Sequence, residues 1–142
     1  MNADRSTQPD CTSIWLVDDD EDDLFMLTTA IERVAPTVQI QVLRDGDELL
    51  PKLKQAMPVP NVVIMDLNMP RMNGLYALEL LRAQHDYQQL PVIMLTTSSH
   101  EQDRARSEKL GASAFYSKPT EFQDLLTLTA GLINQWGSQM YR

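Results

Sequence analysis

Compact apolar runs and stretches of helical periodicity alternate along this chain. Four compact runs predict β-strands, at about residues 13–17, 61–66, 92–95 and 114–117. In a fifth segment, Val38, Ile40 and Val42 alternate with polar residues, which predicts an edge strand with one solvated face. The pattern therefore predicts four buried strands and one edge strand.

Between the strands, apolar residues recur every three or four positions, as in helices that bury one face. Five helices are predicted, at about residues 22–34, from Gly46 to about 56, at 75–83, from Ser98 to Gly111, and from Thr120 to Trp136. Ser98-Ser99 before Glu101-Gln102 and Thr120 before Gln123 predict capping boxes at the last two helix starts. Strands alternating with helices predict an α/β fold, a parallel sheet covered by helices on both faces.

The length of 142 residues fits one domain, which we expect to cover residues 12–137. Residues 1–11 are polar and are expected to form a flexible arm, and residues 138–142 a short tail. We therefore expect no output domain. Cys11 is the single cysteine, which fits a reducing, cytoplasmic location.

The charge balance excludes two classes of partner. A formal net charge of -8 argues against nucleic acid, whose phosphates require a basic face. No block of Lys and Arg is present to bind an anionic membrane, and no apolar run approaches the ~18 residues of a membrane span.

Carboxylates stand where two of the buried strands end. Asp18 and Asp19 follow the first strand, and Asp66 follows the third. Ligands of open α/β sheets bind outside the carboxyl ends of the strands, so neighbouring strands would bring these acids together. Carboxylates at such a short separation repel one another unless a cation neutralises their charge. Mg²⁺ can do this, because it binds carboxylate oxygens and waters. The pattern therefore predicts a magnesium site able to hold a phosphoryl group on Asp66.

Two further strand ends carry groups that suit this chemistry. Thr96 ends the fourth strand, and Lys118 ends the fifth, where its ammonium could pair with the acids or bind a phosphoryl oxygen. Asp22 and Asp23, by contrast, are expected to do no more than favour the N-terminus of the first helix.

The segments LVDDD, VVIMDLNMPRMNG, VIMLTTSS and GASAFYSKPT resemble the receiver domain of two-component response regulators, the chemotaxis-regulator-like family. The resemblance covers about residues 12–136 and is nearest to stand-alone receivers similar to phytochrome-associated regulators. It implies a flavodoxin-like, doubly wound five-stranded sheet in the order 2-1-3-4-5. It also implies a signalling role, with catalysis limited to the domain's own phosphorylation and dephosphorylation.

The resemblance also implies a role for each site residue. Asp66 would be the phospho-acceptor, with Mg²⁺ held by Asp19, Asp66 and the backbone carbonyl of Asn68, and with Asp18 acting through a bound water. Thr96 would hydrogen-bond the phosphoryl group, and Lys118 would form a salt bridge to it.

The resemblance places an aromatic switch at Phe115. We expect its ring near the surface between the fourth and fifth helices, on a surface that phosphorylation alters. The phosphodonor would be a sensor histidine kinase or a histidine phosphotransfer protein. The signal would pass to a downstream protein, and a second copy of this chain is a candidate partner. A cis peptide bond before Pro119 is also expected, to turn Lys118 toward the acids.

Two alternatives remain. A haloacid-dehalogenase-like phosphatase shares a strand-end aspartate, a hydroxyl and a lysine, but it requires Thr or Val where this chain has Asp22. It also requires an acidic pair after the lysine, where this chain has only Asp124. A receiver that acts as a scaffold without phosphorylation is the other, and the intact acids, Thr96 and Lys118 argue against it.

Overall fold

The computed structural model of the protein describes residues 12–97 and 100–137. The expected arm, residues 1–11, and tail, residues 138–142, lie outside the described residues. The strands are β1 (Ser13–Val17), β2 (Gln39–Leu43), β3 (Val62–Met65), β4 (Val92–Thr96) and β5 (Ala114–Ser117). The helices are α1 (Glu21–Val34), α2 (Leu49–Gln55), α3 (Gly74–Arg82), α4 (Glu101–Lys109) and α5 (Phe122–Leu132). Single turns of 3₁₀ helix occupy Gly46–Glu48 and His85–Tyr87, and a π-helical turn, Ile133–Gly137, extends α5.

The five strands form one parallel sheet in the order β2-β1-β3-β4-β5. This confirms the predicted order 2-1-3-4-5 and the α/β, flavodoxin-like fold. The edge position of β2 is confirmed as well, since its residues before Leu43 are exposed or half-buried. The carboxyl ends of β1, β3, β4 and β5 therefore lie side by side along one edge of the sheet.

Each face of the sheet carries its own apolar core because successive strand residues point to opposite faces. Along β1, Ile14 and Leu16 pack on the side of α1 and α5, and Trp15 and Val17 pack on the side of α2 and α3. Both faces are covered, which explains why the strands read as continuous apolar runs. In the described ranges, no helix is both long enough and apolar enough to cross a bilayer.

The local details of two loops differ from the sequence-based expectations. α5 begins at Phe122 with Glu121 as its N-cap, and the Glu121 side chain makes no capping bond. The capping box predicted at Thr120 is therefore wrong, because the helix starts one residue later than that motif requires. The serines expected to cap α4, Ser98 and Ser99, lie outside the described residues.

The cis peptide bond predicted before Pro119 is also wrong. The cis bond in the described residues is Met57–Pro58, and the bond between Lys118 and Pro119 is trans. The stated reason for the expectation fails too, because the Lys118 ammonium reaches the acids from a trans bond.

Candidate functional site

The three predicted acids converge at the carboxyl ends of β1 and β3. These strands are neighbours, with Val17 paired to Met65, so the residues that follow them lie side by side. The Asp66 N–H donates to the carbonyl of Val17 at 2.9 Å, which holds Asp66 beside the end of β1. One carboxylate oxygen from each of Asp18, Asp19 and Asp66 lies within 4.8 Å of the other two. Three oxygens this close form a set that a single cation can bridge.

Lys118 joins the acids from the end of β5. Its Nζ lies 2.8 Å from Asp18 Oδ2 and 3.5 Å from Asp66 Oδ2. The backbone N–H of Lys118 donates to the carbonyl of Thr96 at 2.7 Å. This hydrogen bond to the end of β4 holds the backbone from which the Lys118 side chain extends. The structure therefore brings the predicted lysine to the predicted acids across β3 and β4.

Asp23 also binds Lys118, at 2.6 Å from its Oδ2 to Nζ, and the sequence reasoning assigned it no such role. Capping of α1 is done by Asp20, whose carboxylate accepts the N–H groups of Asp22 and Asp23. A signal was present in the sequence, because Asp23 stands four positions before the buried Leu27 and so shares its helix face. That face turns toward the sheet rather than toward solvent.

The pKa values follow from burial and from these contacts. Burial raises the pKa of Asp18, and this exceeds the opposing effects of the Lys118 ammonium and the Asp20 amide. Burial alone would lower the pKa of Lys118. Its hydrogen bonds to Asp18 and Asp23 and the attraction to Asp66 have the larger effect, so the pKa is raised. Lys118 thus stays a cation, and one cation faces several carboxylates. The excess negative charge suits a divalent metal.

The loop after β3 is tightly packed around Asp66. Its Oδ1 accepts the Leu67 N–H at 2.8 Å, and the Gly74 N–H donates to the carbonyl of Leu67 at 2.7 Å. A Cβ on Gly74 would lie 2.2 Å from the backbone oxygen of Asp66, so this position requires glycine. Asn68 lies exposed in the same loop, two residues beyond Asp66.

A buried carboxylate on a neighbouring loop holds the far end of this segment. Asp45 is fully buried and accepts three backbone N–H groups, those of Asp47 at 3.2 Å, Arg71 at 3.0 Å and Met72 at 2.8 Å. Burial raises the pKa of Asp45, but these hydrogen bonds and the Arg71 charge outweigh it, and the net pKa is lowered. The sequence reasoning missed this role, since Asp45-Gly46 reads as an ordinary turn signal.

The two residues predicted to act as a switch are both buried. Thr96 is fully buried at the end of β4. Phe115 is 6% exposed, so the expectation that its ring lies near the surface is wrong for this structure. The ring belongs to the apolar core on the side of α2 and α3, and the guanidinium of Arg104, on α4, lies over it at 4.9 Å from its centroid. Tyr116 packs against the opposite core, as the strand alternation predicts.

A cleft opens beside the acids, between α1 and α5. It has a volume of about 360 Å³, and Asp18, Asp23 and Lys118 form its polar wall. The rest of the lining is mixed, with apolar side chains from α1, β4 and α5 and with Thr97, Pro119, Thr120 and Glu121 at the ends of β4 and β5. On the outer side of α1, Phe25 is 70% exposed. The cleft therefore gives solvent a route to Asp18 and Lys118 at the carboxyl end of the sheet.

The fold and site define a receiver domain, and sequence comparison assigns the chain to that family. A family model described as "Response regulator receiver domain" matches residues 14–130. The chain belongs to this family and acts in two-component, phosphorelay signalling.

Relatives of similar length support this assignment. The chain is 28% identical to the response regulator Rcp1 of Synechocystis over 139 residues, 94% of this chain and 93% of that protein. It is 30% identical to the protein PilH of Pseudomonas aeruginosa over 113 residues, 80% of this chain and 90% of that protein.

Solved structures give the same architecture. The Mn²⁺-bound form of response regulator Rcp1 superposes with a TM-score of 0.77 at 28% identity, covering 91% of this chain and 96% of that chain. The phosphorylated cyanobacterial phytochrome response regulator RcpA superposes with a TM-score of 0.82 at 24% identity, covering 89% and 94%. At that identity the second comparison supports the fold alone.

Proposed function

We propose that Asp66 is the residue of this receiver that accepts the phosphoryl group. The observation that carries the proposal is the convergence of Asp18, Asp19, Asp66 and Lys118 at one end of the sheet. Asp66 is the member of this set that begins the tightly packed loop after β3, and its Oδ2 lies 3.5 Å from Lys118 Nζ.

The acids fit a bound Mg²⁺. Carboxylates of Asp18, Asp19 and Asp66 offer oxygens close enough to share one ion, and oxygen is the donor that hard divalent cations take. The backbone carbonyl of Asn68 is proposed as a further ligand and Asp18 as a ligand through water. When bound, the ion neutralises charge on the phosphoryl oxygens. A Mn²⁺-bound form of Rcp1 exists, and a divalent cation bound by a relative supports the proposal of one here.

The transfer step follows from the groups at the site. A carboxylate oxygen of Asp66 forms a bond to phosphorus while the phosphorus–nitrogen bond of a phosphohistidine breaks, and the imidazole nitrogen takes a proton. Leu67 fixes the orientation of the attacking carboxylate through its N–H. Lys118 and the Thr96 hydroxyl would then bind the phosphoryl oxygens. The domain would catalyse only this step and the loss of its own phosphate.

The proposed phosphodonor is a sensor histidine kinase or a histidine phosphotransfer protein. The cleft lined by Asp18 and Lys118, both of which contact or neighbour Asp66 in the acidic site, and the exposed Phe25 on α1 offer surface that such a donor can contact. A cytoplasmic location belongs to the same proposal, and the single Cys11 is compatible with it.

The proposed output surface is formed by α4, β5 and α5. The nine residues of α4 are almost all exposed, with Ser107 as its buried residue, so this helix is held by few apolar contacts. An element with few buried contacts opens or shifts at low cost. Charge arriving at Asp66 would draw Thr96 toward it, and Arg104 and Phe115 would rearrange with α4. A downstream protein or a second copy of this chain would bind the altered surface.

Phosphorylation can be tested with a small phosphodonor. Incubation with acetyl phosphate and Mg²⁺ is expected to add one phosphoryl group to the intact protein, and EDTA is expected to prevent it. Asp66→Asn should add none, and Asp124→Asn, which alters an exposed acid on α5, should behave as wild type. A wild-type protein that stays unmodified would support the scaffold alternative. Sustained turnover of p-nitrophenyl phosphate would support the phosphatase alternative.

A further inference from the structure

Lys118 is held by a carboxylate that the metal set does not use. Its shortest contact is to Asp23 at 2.6 Å, shorter than the contacts to Asp18 at 2.8 Å and to Asp66 at 3.5 Å. Hydrogen bonds from an ammonium to oxygen fall at about 2.7–3.2 Å, so the distance to Asp66 is too long for a good one. In the unphosphorylated protein the lysine is thus committed to Asp18 and Asp23.

The two partners of Lys118 differ in what a bound cation would do to them. Asp18 belongs to the set of acids that can share a cation, and its side chain is buried. Asp23 lies outside that set, on the first turn of α1, with its side chain 37% exposed at the wall of the cleft. A cation among the acids would therefore leave the Asp23–Lys118 ion pair intact.

We propose that Asp23 is a positioning residue that competes with the phosphoryl group for Lys118 and thereby disfavours the phosphorylated state. A phosphoryl group on Asp66 would draw the Lys118 ammonium toward Asp66, from which it now lies 3.5 Å away, and so away from its 2.6 Å contact with Asp23. Any contact that is made in the unphosphorylated state and given up afterwards shifts the equilibrium toward that state. This inference rests on the proposed role of Asp66.

The size of the effect follows from the exposure of the pair. Ion pairs as exposed as Asp23–Lys118 contribute little free energy. Removing the Asp23 charge should therefore tighten the binding of a phosphoryl group or its mimic by about two- to fivefold. The alternative explanation is that Asp23 acts only as a negative charge that favours the N-terminus of α1. In that case its neighbour Asp22 should matter equally, because Asp22 stands on the same turn and its carboxylate is not among those that contact Lys118.

The test is a beryllofluoride titration in Mg²⁺, with beryllofluoride as the phosphoryl mimic and Trp15 or Trp136 fluorescence or amide shifts as the signal. Asp23→Asn is expected to bind beryllofluoride about two- to fivefold more tightly than wild type. Asp22→Asn and Asp23→Glu should stay at the wild-type value, the first because it keeps the ion pair and the second because it keeps the competing charge.

The outcomes separate this inference from the function on which it rests. Unchanged or weaker binding by Asp23→Asn would overturn the inference, as would equal tightening by Asp22→Asn. Wild-type protein that neither binds beryllofluoride nor accepts a phosphoryl group would overturn the proposed function, and the inference with it. The spontaneous loss of phosphate provides a second readout, which should be slower in Asp23→Asn than in wild type.

Discussion

Replacing Asp45 with alanine should destabilise the protein more than any replacement of an exposed acid. The carboxylate is fully buried and accepts the N–H groups of Asp47, Arg71 and Met72. A hydrogen bond to a charged group contributes about 1.5–3 kcal/mol, so three at the lower end give about 4–5 kcal/mol. That is a large share of the ~5–15 kcal/mol by which domains are stable.

Asp45→Asn should reduce the free energy of unfolding by less than Asp45→Ala, because the asparagine amide has the same shape as the carboxylate. Oδ1 of Asp45 accepts from Asp47 and Met72, and Oδ2 accepts from Arg71. An asparagine keeps the first oxygen and places an amide nitrogen against the Arg71 N–H, which loses one bond of the three. We expect a loss of about 2 kcal/mol.

Urea unfolding of wild type and variants measures these differences. Asp47→Ala is the matched control, since its carboxylate pairs with the exposed Arg71 side chain at 2.8 Å and should contribute under about 1 kcal/mol. If Asp45→Ala loses no more stability than Asp47→Ala, the reasoning from the three N–H groups is refuted.

The pH dependence gives an independent check. The folded-state pKa of Asp45 is lowered, so its contribution is fully present above its unfolded pKa of about 3.9 and is lost as the pH falls through the folded value. The stability difference between wild type and Asp45→Asn should therefore be constant near neutral pH and shrink in acid. A difference that grows in acid would contradict the assignment.

Three further outcomes are expected. Gly74→Ala should destabilise the fold by at least about 2 kcal/mol, because its Cβ would meet the Asp66 backbone. Gly131→Ala has open space around the new Cβ and should stabilise α5 by about 0.5–1 kcal/mol. Urea unfolding of both variants measures these changes. Mg²⁺ at 100 times its dissociation constant should raise the free energy of unfolding by about 2.7 kcal/mol, and Asp19→Asn should remove most of that gain in the same assay. Beryllofluoride should change hydrogen exchange across residues 98–120, and changes confined to the loop after Asp66 would exclude the proposed output surface.

The sequence predicts the sheet well because four strands are compact apolar runs that end at polar groups, and because the alternation along β2 marks it as an edge strand. Parallel pairing of β1 with β3 then places Asp18 beside Asp66 without any knowledge of side-chain geometry. The order of the strands and the roles of Asn68 and Thr96 came from the family resemblance, since spacing alone does not state which strands are neighbours.

The contacts that sequence reasoning missed depend on geometry across loops. Asp45 was read as turn punctuation, because nothing in its neighbourhood shows that the backbone of Arg71 would lie against it. Asp23 was interpreted as a helix-terminal charge, because its place on the Leu27 face of α1 does not by itself show that the Lys118 ammonium would reach it. The burial of Phe115 depends on tertiary packing, since its ring lies in the core on one face of the sheet with Arg104 of α4 over it.

The most direct test of the central claim is chemical trapping of the phosphorylated residue. Protein treated with acetyl phosphate and Mg²⁺ is reduced with borohydride, which converts an aspartyl phosphate to homoserine, and the modified position is found by peptide mass spectrometry. We expect homoserine at position 66 in the wild-type protein and none in Asp66→Asn. Homoserine at position 18 or 19, or unchanged labelling of Asp66→Asn, would contradict it.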